Sequence, residues 1–309
     1  LRVWMPRMDR LYMAPPPSSL PREPAAVPAD ADDLADAPTS ASAIELRLLM
    51  EAIYLKYSYD FRDYTGASQK RRVQYALAQM QLPSISALQE RILREPAMFA
   101  RLLQYLTIPV SEMFRDPAYF LAMRRQVVPH LHTYPSVTVW VAGCSTGEEV
   151  YSLAILLREE GLLARTRIYA TDINPESLAL ARQGIFPLEA VRRYTANYQQ
   201  SGGTRAFSDY YIAAYDAARF DPSLVADVIF ADHSLATDSV FAQTQFISCR
   251  NVLIYFNRAL QDRALGLFHE SLSHRGFLGL GAKESIDFSG YASRFEPLAR
   301  NERLYRKAS

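Results

Sequence analysis

The chain has 309 residues, of which 49% are hydrophobic and 22% are charged. This composition is typical of a globular protein with enough apolar material for one large domain or two modest ones. The formal net charge of +1 excludes a global attraction to nucleic acid or to an anionic membrane, so any basic docking surface must be local. No apolar run approaches the roughly 20 residues that a membrane span requires.

The two cysteines exclude two further kinds of structural support. Cys144 and Cys249 lie far apart in sequence, so neither a disulfide framework nor a cysteine-rich zinc site is available. The five histidines do not follow metal-ligand spacing, and we therefore expect no metal. The N-terminus lacks the apolar core of a secretion signal, and the free thiols suit a reducing compartment. We expect the protein in the cytoplasm.

The N-terminal 40 residues have the composition of a tail. They contain eight of the chain's 18 prolines among many Ala, Ser and Asp residues. Such a segment cannot bury enough apolar surface to offset the entropy of ordering. We predict that residues 1–40 are disordered and serve as a linker, with a docking role as the alternative.

Helical periodicity begins near Ala43. Val73, Ala76, Leu77 and Met80 follow the i, i+3, i+4, i+7 spacing of one apolar helix face, and a further apolar stretch follows before residue 106. We predict an all-helical domain over residues 41–118. Three consecutive basic residues lie in its second helix: Lys70, Arg71 and Arg72. They predict either a solvated surface or a docking face for an acidic partner.

Strands and helices alternate in the remainder of the chain. Four β-branched or apolar runs predict strands: Val137–Ala142, Arg167–Thr171, Gln245–Cys249 and Gly276–Leu280. Helical patterns separate them, which favours a doubly wound, mostly parallel sheet over residues 119–309. The alternation lapses between Phe186 and Asp232, where we predict an inserted antiparallel β-subdomain at about residues 187–230.

Polar and glycine-rich positions follow the first two predicted strands. The loop Gly143–Gly147 comes directly after the first strand, and Asp172 ends the second. In open α/β sheets, ligands bind outside the carboxyl ends of strands, where a carboxylate can accept hydrogen bonds from a ribose. A Gly-x-x-x-Gly loop is not the pyrophosphate-binding pattern, so it suits a nucleoside such as S-adenosylmethionine. A plain tight turn, and an N-cap role of Asp172 for the helix near Pro175, are the alternatives.

Four segments resemble the signature motifs of the CheR family of protein-glutamate methyltransferases. They occur in family order, within a similarity that runs from about residue 44 to the C-terminus: Thr107–Pro117 (TIPVSEMFRDP), Ala142–Ser152 (AGCSTGEEVYS), Phe246–Phe256 (FISCRNVLIYF) and Gly281–Ile286 (GAKESI). The resemblance implies a helical N-terminal domain, then a methyltransferase domain with an inserted β-subdomain. It also implies S-adenosyl-L-methionine as cofactor and S-adenosyl-L-homocysteine as product.

The resemblance also implies roles for individual residues. Positions expected to contact the cofactor are Ser111, Arg115, Gly143, Glu148, Asp172, Ser234, Leu235, Arg250 and Asn251. Arg115 and Tyr255 are expected near the transferable methyl group, as the catalytic pair. Three departures from the family pattern concern affinity: Pro109 replaces a polar residue, Met113 replaces Phe, and Ser234 replaces Asn or Asp.

The implied substrate is a methyl-accepting chemotaxis receptor. Its acidic cytoplasmic helices would dock on Lys70, Arg71 and Arg72, and its C-terminal tail could add a strand to the β-subdomain. One alternative is a scaffold that binds the cofactor with little catalysis, and another is an enzyme that modifies a protein of a non-motility pathway. Neither nucleic acid nor membrane insertion is expected.

This residue set suits methyl transfer to a carboxylate. A glutamate with a pKa of about 4.3 is ionised at neutral pH, so it can attack a sulfonium methyl group without a general base. Arg115 could either bind the cofactor's carboxylate as a bidentate fork, which we favour, or steer the incoming glutamate. Tyr255 could offer its hydroxyl to the substrate, or serve as a core residue at a strand end.

Overall fold

The computed structural model describes residues 40–107 and 111–308 of the chain. Residues 1–39 of the predicted tail lie outside the described residues, and so does Pro109. The described residues form ten α-helices: α1 (Ala41–Tyr57), α2 (Gly66–Met80), α3 (Ile85–Arg94), α4 (Pro96–Leu106), α5 (Pro117–Ala122), α6 (Val128–Leu131), α7 (Glu148–Glu159), α8 (Pro175–Gln183), α9 (Leu188–Gln200) and α10 (Arg258–Ser271).

Ten strands are present in the described part of the chain. In order they are β1 (Val137–Ala142), β2 (Thr166–Asp172), β3 (Ile185–Pro187), β4 (Tyr211–Ala214), β5 (Ala217–Phe220), β6 (Val228–Asp232), β7 (Thr244–Cys249), β8 (Leu272–Leu280), β9 (Phe295–Ala299) and β10 (Leu304–Lys307). Seven of them form one sheet in the order β6-β2-β1-β7-β8-β10-β9, and β3, β5 and β4 form a small second sheet.

The first four helices form a unit with a core of its own. Ser40 caps α1 by accepting a hydrogen bond from the N–H of Ala43, and Ser84 caps α3 in the same way. The buried side chains of α1 to α4 pack against one another: Leu49, Ile53, Val73, Ala76, Leu88, Ile92, Leu102 and Leu106. The amphipathic pattern of the sequence therefore produces a helical unit before the sheet begins.

The large sheet is buried on both faces because helices cover each side. Successive side chains of a strand point to opposite faces. Val139 and Val141 accordingly belong to the core shared with α7, whereas Trp140 and Ala142 belong to the core shared with α10. β6, β2, β1, β7 and β8 run parallel, and β10 and β9 continue the sheet antiparallel. Strand order reverses at β1, which is where such folds bind ligands.

The predicted fold class is confirmed, but the insertion differs from its prediction. Helix α9 occupies Leu188–Gln200, and Val228–Asp232 is an edge strand of the large sheet, so only β3, β4 and β5 form the small antiparallel sheet. Val191, Tyr194 and Tyr198 are buried at helical spacing, a pattern that sequence analysis overlooked. The domain limits 41–118 and 119–309 remain a prediction.

A buried ionic cluster attaches the insertion to the large sheet's helices. Arg124, which is 9% exposed, forms salt bridges with Glu159, the last residue of α7, and with Glu160, its C-cap. It also donates to the carbonyl of Ser201 at 3.1 Å. The Tyr210 hydroxyl donates to the same Glu159 carboxylate at 2.9 Å. Burying a guanidinium is costly unless it is paired and hydrogen-bonded, so these contacts offset the burial of Arg124.

The helical unit contacts the sheet at the carboxyl ends of its strands. The N–H of Thr65 donates to the carbonyl of Tyr255 at 2.9 Å, beyond the end of β7. The Asn174 side chain donates to the Thr107 hydroxyl at 2.8 Å, beyond the end of β2. The helices therefore lie over the ligand-binding edge of the sheet. Among the described residues, no helix is both long and apolar enough to cross a bilayer.

Candidate active site

The glycine turn, Gly143–Gly147, joins β1 to α7. The N–H groups of Gly143 and Cys144 both donate to the carbonyl of Thr171, at 2.8 and 2.9 Å. Gly143 has a φ of +75°, and a Cβ atom there would lie 2.4 Å from Cγ2 of Val252. Glycine is therefore needed for the backbone conformation and for close contact with the segment after β7. The second and third motifs meet at this contact.

Asp172 joins the glycine turn to the end of β2. Its carboxylate accepts the N–H of Ser145 at 2.8 Å and the N–H of Asn174 at 2.9 Å. Burial raises the pKa of Asp172, and these backbone donors oppose that shift. The predicted N-cap role is wrong, because the Asn174 side chain caps α8 by accepting the N–H of Glu176 at 3.0 Å. Each carboxylate oxygen of Asp172 can still accept a hydrogen bond from a ribose hydroxyl.

Glu148 is the first residue of α7 and is only 6% exposed. The Thr146 hydroxyl donates to its carboxylate at 2.7 Å. Burial raises the pKa of Glu148, and hydrogen bonds from Thr146 and Ser111 oppose that shift. The structure thus brings the predicted residues Ser111 and Glu148 together, and it provides a buried carboxylate that a cationic ligand group could neutralise.

The arginine turn, Phe114–Asp116, carries Arg115 in an unusual backbone conformation. Phe114 and Asp116 have φ angles of +50° and +57°. Left-handed non-glycine residues cost about 1–3 kcal/mol each, and they persist only where their surroundings impose them. The Ser152 hydroxyl accepts the N–H of Phe114 at 2.9 Å. Among the described residues, the half-exposed guanidinium of Arg115 has no hydrogen-bond or ion-pair partner, so it is available to a ligand.

Arg250 supports the arginine turn from inside the protein. Its side chain is 1% exposed, and Nη2 donates to the Arg115 carbonyl and to the Asp116 carboxylate, both at 2.7 Å. Nη1 donates to Glu149 at 3.1 Å, and the guanidinium lies 4.2 Å from the ring centre of Tyr119. These contacts occupy most of its donors. The predicted contact of Arg250 with the cofactor remains a prediction.

The asparagine turn, Asn251–Tyr255, follows β7 and contacts α2. Asn251 has a φ of +61°, and Tyr255 is half-buried. The Arg72 guanidinium lies 4.3 Å from the centre of the Tyr255 ring. Tyr255 packs against the core on the α10 side of the sheet and lies at the contact between the helical unit and the sheet. Its core role and its catalytic role both remain predictions. Its proximity to a transferable methyl group is untested.

Arg72 does not belong to an exposed docking face, contrary to prediction. Its side chain is 7% exposed because helical spacing places it on the inward face of α2, near Val73. It donates to the Leu106 carbonyl, but Nε and Nη2 have no hydrogen-bond partner among the described residues. Arg71 is exposed and Lys70 is half-exposed, so these two alone fit an outer basic surface.

The loop after β6 lies next to Asp172. The N–H of His233 approaches the Asp172 carbonyl at 3.4 Å, and the N–H of Ser234 donates to Asp238 at 2.9 Å. Leu235, 7% exposed, belongs to the core on the α10 side of the sheet. The position of the loop is consistent with an adenine wall, but contacts of Ser234 and Leu235 with the cofactor remain predictions.

The chemistry of this residue set fits S-adenosylmethionine. Arg115 offers a free guanidinium for the carboxylate of the cofactor, Glu148 offers a buried carboxylate for its ammonium group, and Asp172 offers acceptors for its ribose. In the described ranges, no group of three or more His, Cys, Asp and Glu side chains is arranged to hold a metal ion.

The Gly143→Ala variant tests the glycine turn. We expect at least about tenfold weaker binding of S-adenosylhomocysteine, about 1.4 kcal/mol, because a Cβ atom must displace Val252 or the turn. Isothermal titration calorimetry measures the change. Gly161→Ala is a matched control, since Gly161 also has a positive φ (+69°) but has no neighbouring atom within 4 Å of an added Cβ. Equal affinities of the two variants would contradict the close-contact argument.

Two segments of the sequence match models of one protein family. Residues 44–107 match the model described as CheR methyltransferase, all-alpha domain. Residues 109–301 match the model described as CheR methyltransferase, SAM binding domain. S-adenosylmethionine is therefore the cofactor of this domain, in agreement with the donors and acceptors found at the carboxyl ends of β1 and β2.

Relatives in three bacteria support the same assignment. A Pseudomonas putida protein with the provisional name methyltransferase Cher3 is 68% identical over 265 residues, which cover 86% of this chain and 97% of that protein. A Listeria monocytogenes chemotaxis protein methyltransferase is 27% identical, with coverage of 74% and 84%. Chemotaxis protein methyltransferase 2 of Pseudomonas aeruginosa is 30% identical, with coverage of 62% and 69%. By these matches and by its fold, the chain belongs to the CheR methyltransferase family.

Proposed function

We propose that the protein forms methyl esters on glutamate side chains of methyl-accepting chemotaxis receptors, as a protein-glutamate O-methyltransferase acting in the cytoplasm. The observation that carries the proposal is the Arg115 guanidinium, which has no partner in the described chain and lies in a turn that the buried Arg250 supports. The relatives from Listeria monocytogenes and Pseudomonas aeruginosa, named chemotaxis protein methyltransferases, support the substrate class.

The residues of the site orient reactants and need not move a proton. When bound, S-adenosylmethionine supplies an electrophilic sulfonium methyl group. Arg115 binds the cofactor's carboxylate as a bidentate fork, and Glu148 pairs with its ammonium group. A substrate glutamate is already ionised at neutral pH, so no general base is required. Correct orientation of two reactants can lower a barrier by about 7–11 kcal/mol.

Tyr255 and Arg72 are suited to the substrate side of the site. The Tyr255 hydroxyl can donate to the substrate carboxylate, which aligns an oxygen with the methyl group. Arg72 lies against the Tyr255 ring and adds positive charge next to it. Because the Arg72 guanidinium is buried between α2 and the asparagine turn, this charge is weakly screened by salt and favours an anionic side chain nearby.

Two surfaces are available for the receptor. Lys70 and Arg71 lie on the outer side of α2 and suit acidic receptor helices. The edge strand β4 of the small sheet, with Ile212 76% exposed, suits strand addition by a receptor tail. Both receptor surfaces are part of the proposed function.

Methyl transfer tests the proposed reaction directly. We expect label from methyl-labelled S-adenosylmethionine to enter receptor protein and to be released as methanol in alkali, because esters are base-labile. Arg115→Ala should lower the transfer rate about 10- to 100-fold, since hydrogen bonds to charged groups contribute about 1.5–3 kcal/mol. Arg91→Ala, which breaks only an exposed pair with Glu95, is the control and should retain the rate. Alkali-stable label would exclude an ester, and cofactor binding without transfer would favour a scaffold.

Charge reversal tests the receptor surface. Lys70→Glu combined with Arg71→Glu should slow receptor methylation several-fold and leave affinity for S-adenosylhomocysteine unchanged, since neither residue is among those proposed to bind the cofactor. The effect should diminish at high ionic strength, because exposed charges are screened. Arg47→Glu combined with Arg101→Glu makes the same charge change at exposed positions of α1 and α4. Equal rates for the two double variants would eliminate this surface.

The pKa of Glu148 predicts a pH dependence of cofactor binding. Burial raises this pKa above the ordinary value, so the carboxylate becomes protonated at higher pH than an exposed glutamate. Pairing with an ammonium group requires the ionised form, so affinity for S-adenosylhomocysteine should be full above the raised pKa and decrease as pH falls through it. Glu148→Gln should bind more weakly at neutral pH and lack this step. Calorimetry between about pH 5 and pH 8 compares the affinities of wild type and Glu148→Gln. Identical pH profiles of the two proteins would contradict the pairing of Glu148 with the ammonium group.

A further inference from the structure

We propose that Glu284 is a positioning residue for methyl transfer, because its buried carboxylate binds the backbone of the asparagine turn that carries Tyr255. The inference deepens the proposed function and rests on it. Glu284 lies beyond the end of β8, in the fourth motif, and touches neither Arg115 nor Asp172 through any hydrogen bond of the described residues. It acts on the site through the turn.

One carboxylate satisfies four backbone donors from two segments. Oε2 of Glu284 accepts the N–H of Gly281 at 2.6 Å and the N–H of Asn251 at 2.9 Å. Oε1 accepts the N–H of Val252 at 2.8 Å and the N–H of Ile254 at 3.3 Å. The residue is 3% exposed, so water cannot replace these acceptors. The carboxylate therefore joins the end of β8 to the turn after β7.

The asparagine turn needs such an acceptor because it lies beyond the end of β7, outside the sheet. Beyond Cys249, no strand of the described residues pairs with the N–H groups of this turn, and Asn251 adopts a left-handed conformation. A buried N–H without a partner costs about 1–3 kcal/mol. Several N–H groups directed at one point form a concave site for an anion, and the Glu284 carboxylate occupies it.

The same turn packs against the glycine turn, which we propose binds the cofactor. A Cβ atom on Gly281 would lie 2.7 Å from Oε2 of Glu284, so glycine is what leaves room for the carboxylate. On the other side, Val252 of the turn lies against Gly143 of the glycine turn. A shift of the asparagine turn would consequently move Tyr255 and the contact with the glycine turn together.

Charge and shape can be separated at this position. Glutamine has nearly the shape of glutamate, but whichever way its amide is oriented, its NH₂ group faces two backbone N–H donors. Aspartate retains the acceptors but is shorter by one methylene group. Burial raises the pKa of Glu284, and the backbone donors oppose that shift. If acceptor capacity is what matters, aspartate should be tolerated better than glutamine.

The experiment compares full-length wild type, Glu284→Gln and Glu284→Asp, with Glu296→Gln as an exposed control on β9. Steady-state methylation of receptor gives kcat and KM, and hydrogen exchange with mass spectrometry reports on residues 250–256. For Glu284→Gln we expect kcat at least tenfold lower, receptor KM within about twofold of wild type, and faster exchange confined to the turn and residues 281–284. Glu284→Asp should have an intermediate kcat, and Glu296→Gln should match wild type.

The outcomes separate this inference from the proposed function. Wild-type kcat in Glu284→Gln, or faster exchange throughout the protein, would overturn the positioning role. If Glu284→Gln does not fold, a lower kcat in Glu284→Asp with faster exchange throughout the protein, and not confined to the turn, would overturn it instead. If wild-type protein transfers no methyl group, the proposed function has failed. Hydrogen exchange in the asparagine turn then still tests whether Glu284 stabilises that turn. Exchange at the wild-type rate in Glu284→Gln would count against the contact.

Discussion

The Arg250 guanidinium connects the end of β7 to the arginine turn, and the geometry of the site depends on it. It is 1% exposed and bonds the Arg115 carbonyl, Asp116 and Glu149 at 2.7–3.1 Å. A buried charge costs several kcal/mol unless paired and hydrogen-bonded, and removing one partner of a buried pair costs about 3–5 kcal/mol. The contacts that stabilise the fold are therefore also those that orient Arg115.

Both turns that carry the proposed catalytic pair contain left-handed backbone. Phe114, Asp116 and Asn251 are non-glycine residues with φ between +50° and +61°, and all three lie in the two turns that carry Arg115 and Tyr255. Ser152, Arg250 and Glu284 bind these turns. Such turns keep catalytic side chains in place before substrate arrives, so less entropy is lost when the reactants are oriented.

Sequence reasoning succeeded where local patterns match the environment of a residue. The run Val137–Ala142 alternates between two buried faces, and the structure makes it β1 with those limits. It failed where the local pattern was ambiguous. Asp172 precedes a helix, so a cap was the alternative to a ribose contact, and the structure shows that Asn174 caps that helix. Helix α9 was missed because its region was interpreted only through its later strands, although Val191, Tyr194 and Tyr198 have helical spacing.

The sequence by itself determined the alternation of strands and helices around β1, β2, β7 and β8, the glycine turn and the acidic residue at the end of β2, because hydrophobic period and backbone preference are local properties. Only the tertiary structure decided which of the arginines are free. Arg72 is buried against Tyr255, Arg250 is paired within the core, and Arg115 has no partner among the described residues. Nothing in their immediate neighbours distinguishes them, because the partners are distant: Arg250 and the Arg115 carbonyl are 135 residues apart. Burial and pairing of a charge are decided by such long-range contacts.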